Sequence, residues 1–327
     1  MNNRIKHIVF LVIPDATLLD VTGAYEVFSQ AIEYIKEHRL ISNFSYKLHS
    51  VSVSCKNICT SSGMVISCEE SLKTINYPID TLIVPGIPNS MIEKYRISKN
   101  ALKWIKIQSE KVRRICSVCT GSFFLAEAGI LSNKKATTHW EKSNLLSEKY
   151  PDIHVDSNSI FIKDGNVYTS AGISSGMDLA LSLVEEDCGK LLALEVAKQM
   201  VLYLKRPGSQ SQYSHVLNHQ KSDYQPIVNI CNWISEHIQE PMTIDVLSEK
   251  VSMSPRNFAR VFLRETGITP AKYIEKLRIE TACRYLTDTG LSLKEISLIT
   301  GLGSPDNMRK VFIKNIKISP IDYRKNF

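Results

Sequence analysis

Ser254-Pro255-Arg256-Asn257-Phe258-Ala259-Arg260-Val261-Phe262 returns fifty positions later as Ser304-Pro305-Asp306-Asn307-Met308-Arg309-Lys310-Val311-Phe312. The echo continues with Thr269-Pro270 against Ser319-Pro320 and Tyr273 against Tyr323. Each copy starts a helix. The Ser254 or Ser304 hydroxyl can accept a bond from an orphan N–H of the first turn. Pro255 and Pro305 suit the first helical position, where a missing N–H costs nothing. Helical spacing turns Phe258, Val261 and Phe262 inward and sets Arg256, Arg260 and Arg264 in one outward stripe. In the second copy the stripe is Asp306, Lys310 and Lys314, with Arg309 beside it. A short helical stretch precedes each, Ile244–Lys250 and Leu293–Thr300, so each copy predicts a helix-turn-helix. The segment 270–287 between them, as one helix, is about 27 Å long. A rod of that length can hold two reading helices about one DNA turn, ~34 Å, apart. A bundle with solvated basic faces is the competing reading; two copies with matched caps and core positions weigh against it.

Outward from this repeat, the 327 residues are long enough for two domains. The composition, 43% hydrophobic and 22% charged, is that of a globular protein. Net charge is +7. Of this, +4 lies in residues 226–327 and +3 in the other 225, a roughly threefold denser positive charge near the repeat. The eight cysteines show no regular framework, which predicts free thiols in a reducing, cytoplasmic setting. Cys55, Cys59 and Cys68 lack partner histidines at zinc spacing, and no metal or cofactor is expected. The apolar run 8–13 is short and ends at Pro14 and Asp15, so it reads as a core strand, not a signal peptide. No apolar run is long enough to span a membrane.

The first 190 residues alternate strand-like with helix-like segments. Strands are expected at 5–13, 44–53, 81–85 and 113–118, and helices at 22–36, 102–110, 175–184 and 191–204. A small hairpin is expected in 156–170 around Asp164-Gly165. Buried strands alternating with helices predict an α/β fold, a flavodoxin-like parallel sheet sandwiched by helices. Residues 205–225 are polar, with Pro, Gly, Ser and Gln, and read as a linker. All beyond has helical period. The expected order is a domain over 1–204, a linker over 205–225, and an all-α double helix-turn-helix domain over 226–327.

Within the first domain, Ser117-Val118-Cys119-Thr120-Gly121 follows an apolar strand and opens a helix. Small residues flanking a nucleophile form the elbow that lifts a side chain clear of a sheet. A helix N-terminus at Thr120 predicts a favoured thiolate at Cys119, with the Thr120 N–H as an oxyanion donor. Three readings stay open for Cys119: nucleophile, lining of a sensor pocket, or redox partner of Cys116. His139 precedes Trp140 at an expected helix start and reads as structural, although a base role is conceivable. Asp178 reads as an ordinary first-turn acid.

Two resemblances add to this reading. Residues 227–327 resemble the AraC-type DNA-binding domain, on the Ser-x-x-x-apolar-x-Arg-x-Phe helix, Gly267-Ile268-Thr269-Pro270 with Tyr273, Leu277-Arg278, Ala282, and Ser319-Pro320 with Tyr323-Arg324. That resemblance places base-reading positions at Arg256, Ala259 and Arg260, and at Asp306, Arg309 and Lys310. Asn257 and Asn307, Arg264 and Lys314 complete the expected DNA-facing set. Asp306 departs from the pattern: it repels phosphate and must accept from a base amino group if it reads one. Lys317 stands where the first copy has Gly267. Residues 5–190 resemble the PfpI/ThiJ branch of the class I glutamine amidotransferase-like fold. The motifs are Leu18-Leu19-Asp20-Val21-Thr22-Gly23, Val84-Pro85-Gly86 with Ile87 in place of a second glycine, and Cys119-Thr120-Gly121 through Ala136-Thr137-Thr138-His139-Trp140. Together the chain resembles a GlxA-type transcriptional regulator. The resemblance implies a small, nitrogenous effector bound near Asp20, Gly86, Ile87, Cys119, Thr120 and His139. It also implies promoter DNA as partner, RNA polymerase as a further candidate, and a homodimer. An isonitrile-hydratase-like or amidase-like enzyme using Cys119, with Asp20 and Thr120, and a thiol-based redox sensor are the alternatives.

Overall fold

The computed structural model describes residues 4–38, 44–53, 56–204, 224–316 and 318–326. The chain forms two compact units, Met1–Arg206 and Pro207–Phe327. The expected linker falls almost wholly outside the described residues, as do Lys317 and Cys55.

In the first unit the apolar run 8–13 is buried throughout, because its strand lies at the centre of the sheet. This strand, β1 (Arg4–Val12), pairs in parallel with β2 (Phe44–Ser52) on one side and β6 (Ile79–Val84) on the other. Beyond β6 lies β7 (Arg114–Ser117), then β11 (Val167–Ser170), both parallel, and finally β10 (Phe161–Asp164), the one antiparallel member. A two-residue β5 (Glu70–Ser71) closes the other edge. The β10–β11 hairpin turns at Asp164-Gly165 as its sequence requires, with Gly165 at φ +63°. Helices α1 (Leu18–Glu37), α5 (Ser175–Cys188) and α6 (Lys190–Gln199) pack together. A second pair, α2 (Lys99–Ser109) and α3 (Gly121–Glu127), packs separately.

Several segments differ from the sequence reading. α1 starts four residues earlier than expected, at Leu18, and α6 ends at Gln199, short of Leu204. Short pairs, β3 (Asn57–Cys59) with β4 (Val65–Ser67) and β8 (Lys135–Ala136) with β9 (His154–Val155), were not legible. A strand of two or three residues carries no measurable period.

The order β11-β7-β6-β1-β2 reverses direction between β1 and β6. Loops leaving the carboxyl ends of such a pair diverge, and the crevice between them is where open α/β sheets bind ligands. Asp20 follows β1, Gly86 follows β6 and Cys119 follows the adjacent β7, so the fold brings three distant motifs to one place.

The second unit is all helix among its described residues. Helices Gln225–Glu236, Ile244–Lys250 and Pro255–Thr266 enclose one core, with Ile230, Ile234, Phe258 and Phe262 fully buried or nearly so. Helices Leu293–Ile299, Pro305–Ile316 and Pro320–Asn326 enclose another, around Ile296, Met308 and Phe312. Helix Pro270–Asp288, one residue longer than expected, lends Tyr273 and Ile274 to the first core and Ile279, Ala282 and Leu286 to the second.

Candidate functional site

The crevice is built around a strained residue. Cys119 has φ +56°, a left-handed conformation that a non-glycine residue adopts at an energetic cost. Its N–H donates to the Ser170 carbonyl at 3.1 Å, and the Cys119 carbonyl accepts from Thr138 Oγ1 at 3.1 Å. The elbow is thus held from both sides. Gly121 is needed just beyond it: a Cβ there would lie 2.5 Å from the Val84 carbonyl oxygen.

The Thr120 hydroxyl donates to the Ile87 carbonyl at 2.7 Å and accepts from the Ile87 N–H at 2.9 Å. It therefore fastens the elbow to the loop after β6. The residue in place of a second glycine contributes backbone, while its side chain is fully buried. Gly86 donates its N–H to Asp20 Oδ2 at 3.0 Å. A Cβ on Gly86 would sit 2.6 Å from Thr120 Oγ1 and 2.9 Å from Asp20 Oδ2, so only glycine fits between them.

Asp20 is fully buried, and its Oδ1 has no hydrogen-bond partner among the described residues. Burial raises its carboxyl from 3.8 to about 7, with the Gly86 N–H pulling weakly the other way. The expectation of a favoured thiolate at Cys119 is corrected here. Burial, and then the nearby Asp20 carboxylate, push the thiol up to about 12, although the Ile173 and Thr120 N–H groups hydrogen-bond it and oppose the shift. α3 is only seven residues long and its N-terminal field does not offset the desolvation. Cys116 is buried in β7, and burial pushes its thiol up to about 12 as well; both are free thiols.

His139 caps the short 3-10 helix Trp140–Lys142. Its Nδ1 accepts from the Glu141 N–H at 3.3 Å and from Asn89 Nδ2 at 3.0 Å, which places the ring proton on Nε2. Burial lowers its pKa and keeps it neutral. The ring packs on Gly172, where a Cβ would lie 2.5 Å from a ring carbon. Its tie to Cys119 runs through the neighbouring Thr138. Asp178 is buried in the first turn of α5. Ile173 was not found by sequence reasoning. Its N–H hydrogen-bonds the Cys119 thiol from a backbone at φ +33°, and an isoleucine after a glycine gave no signal of this.

In the second unit Ser254 caps its helix through the Asn257 N–H, and Ser304 does so through the Asn307 N–H. Arg256, Arg260 and Arg264 are exposed, as are Asp306, Asn307, Arg309, Lys310 and Lys314, while Ala259 and Asn257 are half-buried. The last cation of each stripe is already paired. Arg264 pairs with Glu265 at 2.7 Å, and Lys314 pairs with Glu275 at 3.1 Å. Asn257 Oδ1 accepts from Arg260 Nη2 at 3.0 Å, whereas Asn307 Nδ2 donates to the Leu302 carbonyl at 2.9 Å. Arg324 is turned inward, onto the Leu286 and Leu291 carbonyls.

Residues 6–186 match the DJ-1/PfpI family, and residues 247–326 match a helix-turn-helix domain. The regulator GbdR of Pseudomonas aeruginosa is 27% identical over 99% of this chain and 85% of its own length. The regulator GlxA of Rhizobium meliloti is 22% identical over 99% of this chain and 97% of its own. Isonitrile hydratase of Pseudomonas putida is 30% identical, over 60% of this chain and 76% of its own. The crystal structure of a putative transcriptional regulator from Vibrio parahaemolyticus superposes on 60% of this chain and 99% of its own, with a TM-score of 0.53 at 23% identity. The first unit thus has the flavodoxin-like DJ-1/PfpI fold. The chain belongs to the DJ-1/PfpI family and joins that domain to an AraC-type helix-turn-helix domain, the composition of the GlxA- and GbdR-type transcriptional regulators it resembles.

Proposed function

We propose that the chain is a DNA-binding transcriptional regulator whose first domain, residues 1–204, senses a small nitrogenous metabolite in the crevice beside Asp20 and Cys119. Residues 226–327 hold promoter DNA, with residues 205–225 as the connecting segment. The chain acts in the cytoplasm as a homodimer, with RNA polymerase as a further partner.

One observation carries the sensing part. A fully buried carboxyl with an unpartnered oxygen is costly to hold. A ligand bearing N–H donors or positive charge supplies the missing partner and stabilises the ionised form. Gly86, tied to Ile87, Thr120 and the Cys119 elbow, holds the other oxygen of that carboxyl in place. The DNA-binding part rests on the exposed side chains of Arg256 and Arg260 with Ala259 between them, and of Arg309 and Lys310 beside Asp306. Arg264 and Lys314, each held by a carboxylate, fit contact with phosphate better than base reading.

The enzyme alternative draws on the likeness to isonitrile hydratase. A thiol titrating near 12 is almost wholly protonated at neutral pH, and His139 Nδ1 already accepts two bonds, so neither residue is poised for nucleophilic attack. The deciding experiment is a thermal-shift screen of the full chain against small amines, guanidines and amides, with Asp20→Asn and Cys119→Ala beside the wild type. The reading expects a compound that stabilises wild type and Cys119→Ala but not Asp20→Asn, with DNA binding by Cys119→Ala intact. Turnover of isonitriles or amides that disappears in Cys119→Ala would overturn it.

A further inference from the structure

Gly301 lies in the turn between helices Leu293–Ile299 and Pro305–Ile316, at φ +69°. It belongs to the second helix-turn-helix motif, yet its nearest neighbours come from elsewhere. A Cβ built on Gly301 would collide with the Ile238 carbonyl oxygen and come within 2.7 Å of Arg278 Nε. Ile238 lies two residues beyond the helix Gln225–Glu236, which packs in the first core, and Arg278 sits near the middle of the long connecting helix. Arg278 Nε donates to that same Ile238 carbonyl at 3.1 Å, and Nη2 donates to the Glu240 carbonyl at 2.7 Å. The guanidinium is half-buried, burial lowers its pKa, and among the described residues it donates to backbone carbonyls. One planar fork therefore binds the backbone that leads into the first motif, while the turn of the second motif rests on both.

The two cores share the connecting helix and otherwise have separate residues. A single helix fixes their distance but leaves bending and twist to be set by lateral contacts. The Gly301–Arg278–Ile238 contact is such a brace: hydrogen-bonded, half-buried, and without room for one methyl group. We propose that Arg278 and Gly301 are positioning residues for DNA reading, which lock the two reading helices in one relative orientation and thereby set the separation of the two half-sites the chain accepts. This rests on the reading that both helices contact DNA. Two linked binding modules gain affinity only when geometry lets both engage at once, by factors on the order of 100 to 10,000. A lost brace therefore costs affinity for one separation without touching a base contact.

The test uses the full chain and a pool of duplex DNA with 30 random base pairs, selected in parallel by wild type, Gly301→Ala and Arg278→Lys. Lysine keeps the charge but lacks the fork that grips two carbonyls. Circular dichroism melting identifies which variants are folded, and Arg278→Lys decides the matter if Gly301→Ala is not. Wild type is expected to select two motifs at one fixed separation. The folded variants are expected to select the same first motif with the second absent or at scattered separations, and to bind the wild-type site roughly 10- to 100-fold more weakly. Selection by folded variants of the wild-type separation at wild-type affinity overturns the proposal. Selection of a single motif by wild type itself overturns the two-contact reading instead.

Discussion

Gly86 and Asp20 are joined by one hydrogen bond, 3.0 Å from the glycine N–H to Oδ2, and the carboxyl's other oxygen has no partner among the described residues. The folded carboxyl titrates near 7 against 3.8 without the fold. Well below 3.8 both states are protonated and the group is neutral to stability. As pH rises from 4 to 7 the unfolded chain loses its proton and the folded one keeps it, so stability falls and then levels off. The loss is on the order of a few kcal/mol. Asp20→Asn cannot ionise and escapes it. Calorimetry is expected to find the variant's melting temperature gaining on wild type between pH 5 and pH 8. A difference that stays constant over that range would mean the carboxyl is ionised in a solvated or paired form.

The same geometry makes Gly86 intolerant of a methyl group. Gly86→Ala would press on the Thr120 hydroxyl, the Thr120 N–H and Asp20 at once, and two of these atoms belong to the elbow itself. Overpacking of this kind costs about 1–3 kcal/mol. The expected outcome is a lower melting temperature for the first domain and loss of effector response, with DNA affinity unchanged in a gel-shift assay. Wild-type effector response in Gly86→Ala would show that the loop has slack the distances deny.

The parts of this crevice were legible singly and not together. Cys119 and Gly121 announced an elbow because a small–x–nucleophile–x–small run has a local cause. Asp20 and Gly86 were reached through motif resemblance, and nothing in the sequence foretold that they share a bond across 66 positions. Arg114 shows the opposite failure. It is almost fully buried and pairs with Asp187 at 2.7 Å, whereas Lys6, Arg113 and Asp80 crowd the same place. A charged residue at a strand's start reads as surface until its partner, 73 residues on, is known. The helix-turn-helix repeat was legible down to its helix starts because caps, inward positions and turns are all local. The ion pairs that occupy Arg264 and Lys314 are side-chain choices on an exposed face, which periodicity does not fix.

The two reading helices are expected to respond unequally to substitution. Arg260→Ala removes a guanidinium that Asn257 already orients, and should lower specific affinity by about 1–3 kcal/mol if it reads a guanine. Asp306 separates two roles by sign. If it only faces phosphate, Asp306→Ala strengthens binding to all sequences. If it accepts from a cytosine or adenine amino group, the substitution weakens the specific site and relaxes preference at one position. Fluorescence anisotropy on selected and scrambled duplexes reads both. No change for Arg260→Ala on the selected duplex would remove it from the base-reading set.

Phe262 and Phe312 occupy matching places in the repeat, both fully buried, in separate cores. Truncating a buried phenylalanine costs about 3–5 kcal/mol. Phe312→Ala is expected to raise amide hydrogen exchange in residues 293–316 far more than in 225–266, and Phe262→Ala to do the reverse. Uniform loss of protection across both halves in each variant would show one cooperative unit, with the connecting helix carrying instability from core to core.

Cys119 and Cys59 provide an internal comparison of thiol reactivity. Cys59 is exposed, whereas Cys119 is 3% exposed and burial holds its thiol near 12. Alkylation proceeds through the thiolate, and at pH 8 a thiol with that pKa is ionised roughly one part in ten thousand. Iodoacetamide should therefore modify Cys59 at least about 100-fold faster than Cys119, as followed by peptide mass spectrometry. Asp20 supplies a second handle, because its negative charge is the next-largest cause of the raised thiol. Asp20→Asn removes that charge and leaves the burial, so Cys119 should react faster in the variant than in wild type at pH 8, while at pH 5, where Asp20 is already protonated, the two should match. Equal rates for Cys119 in both proteins at pH 8 would mean the two groups do not sense each other across the crevice. Labelling of Cys119 as fast as Cys59 would restore the nucleophile reading that its burial now opposes.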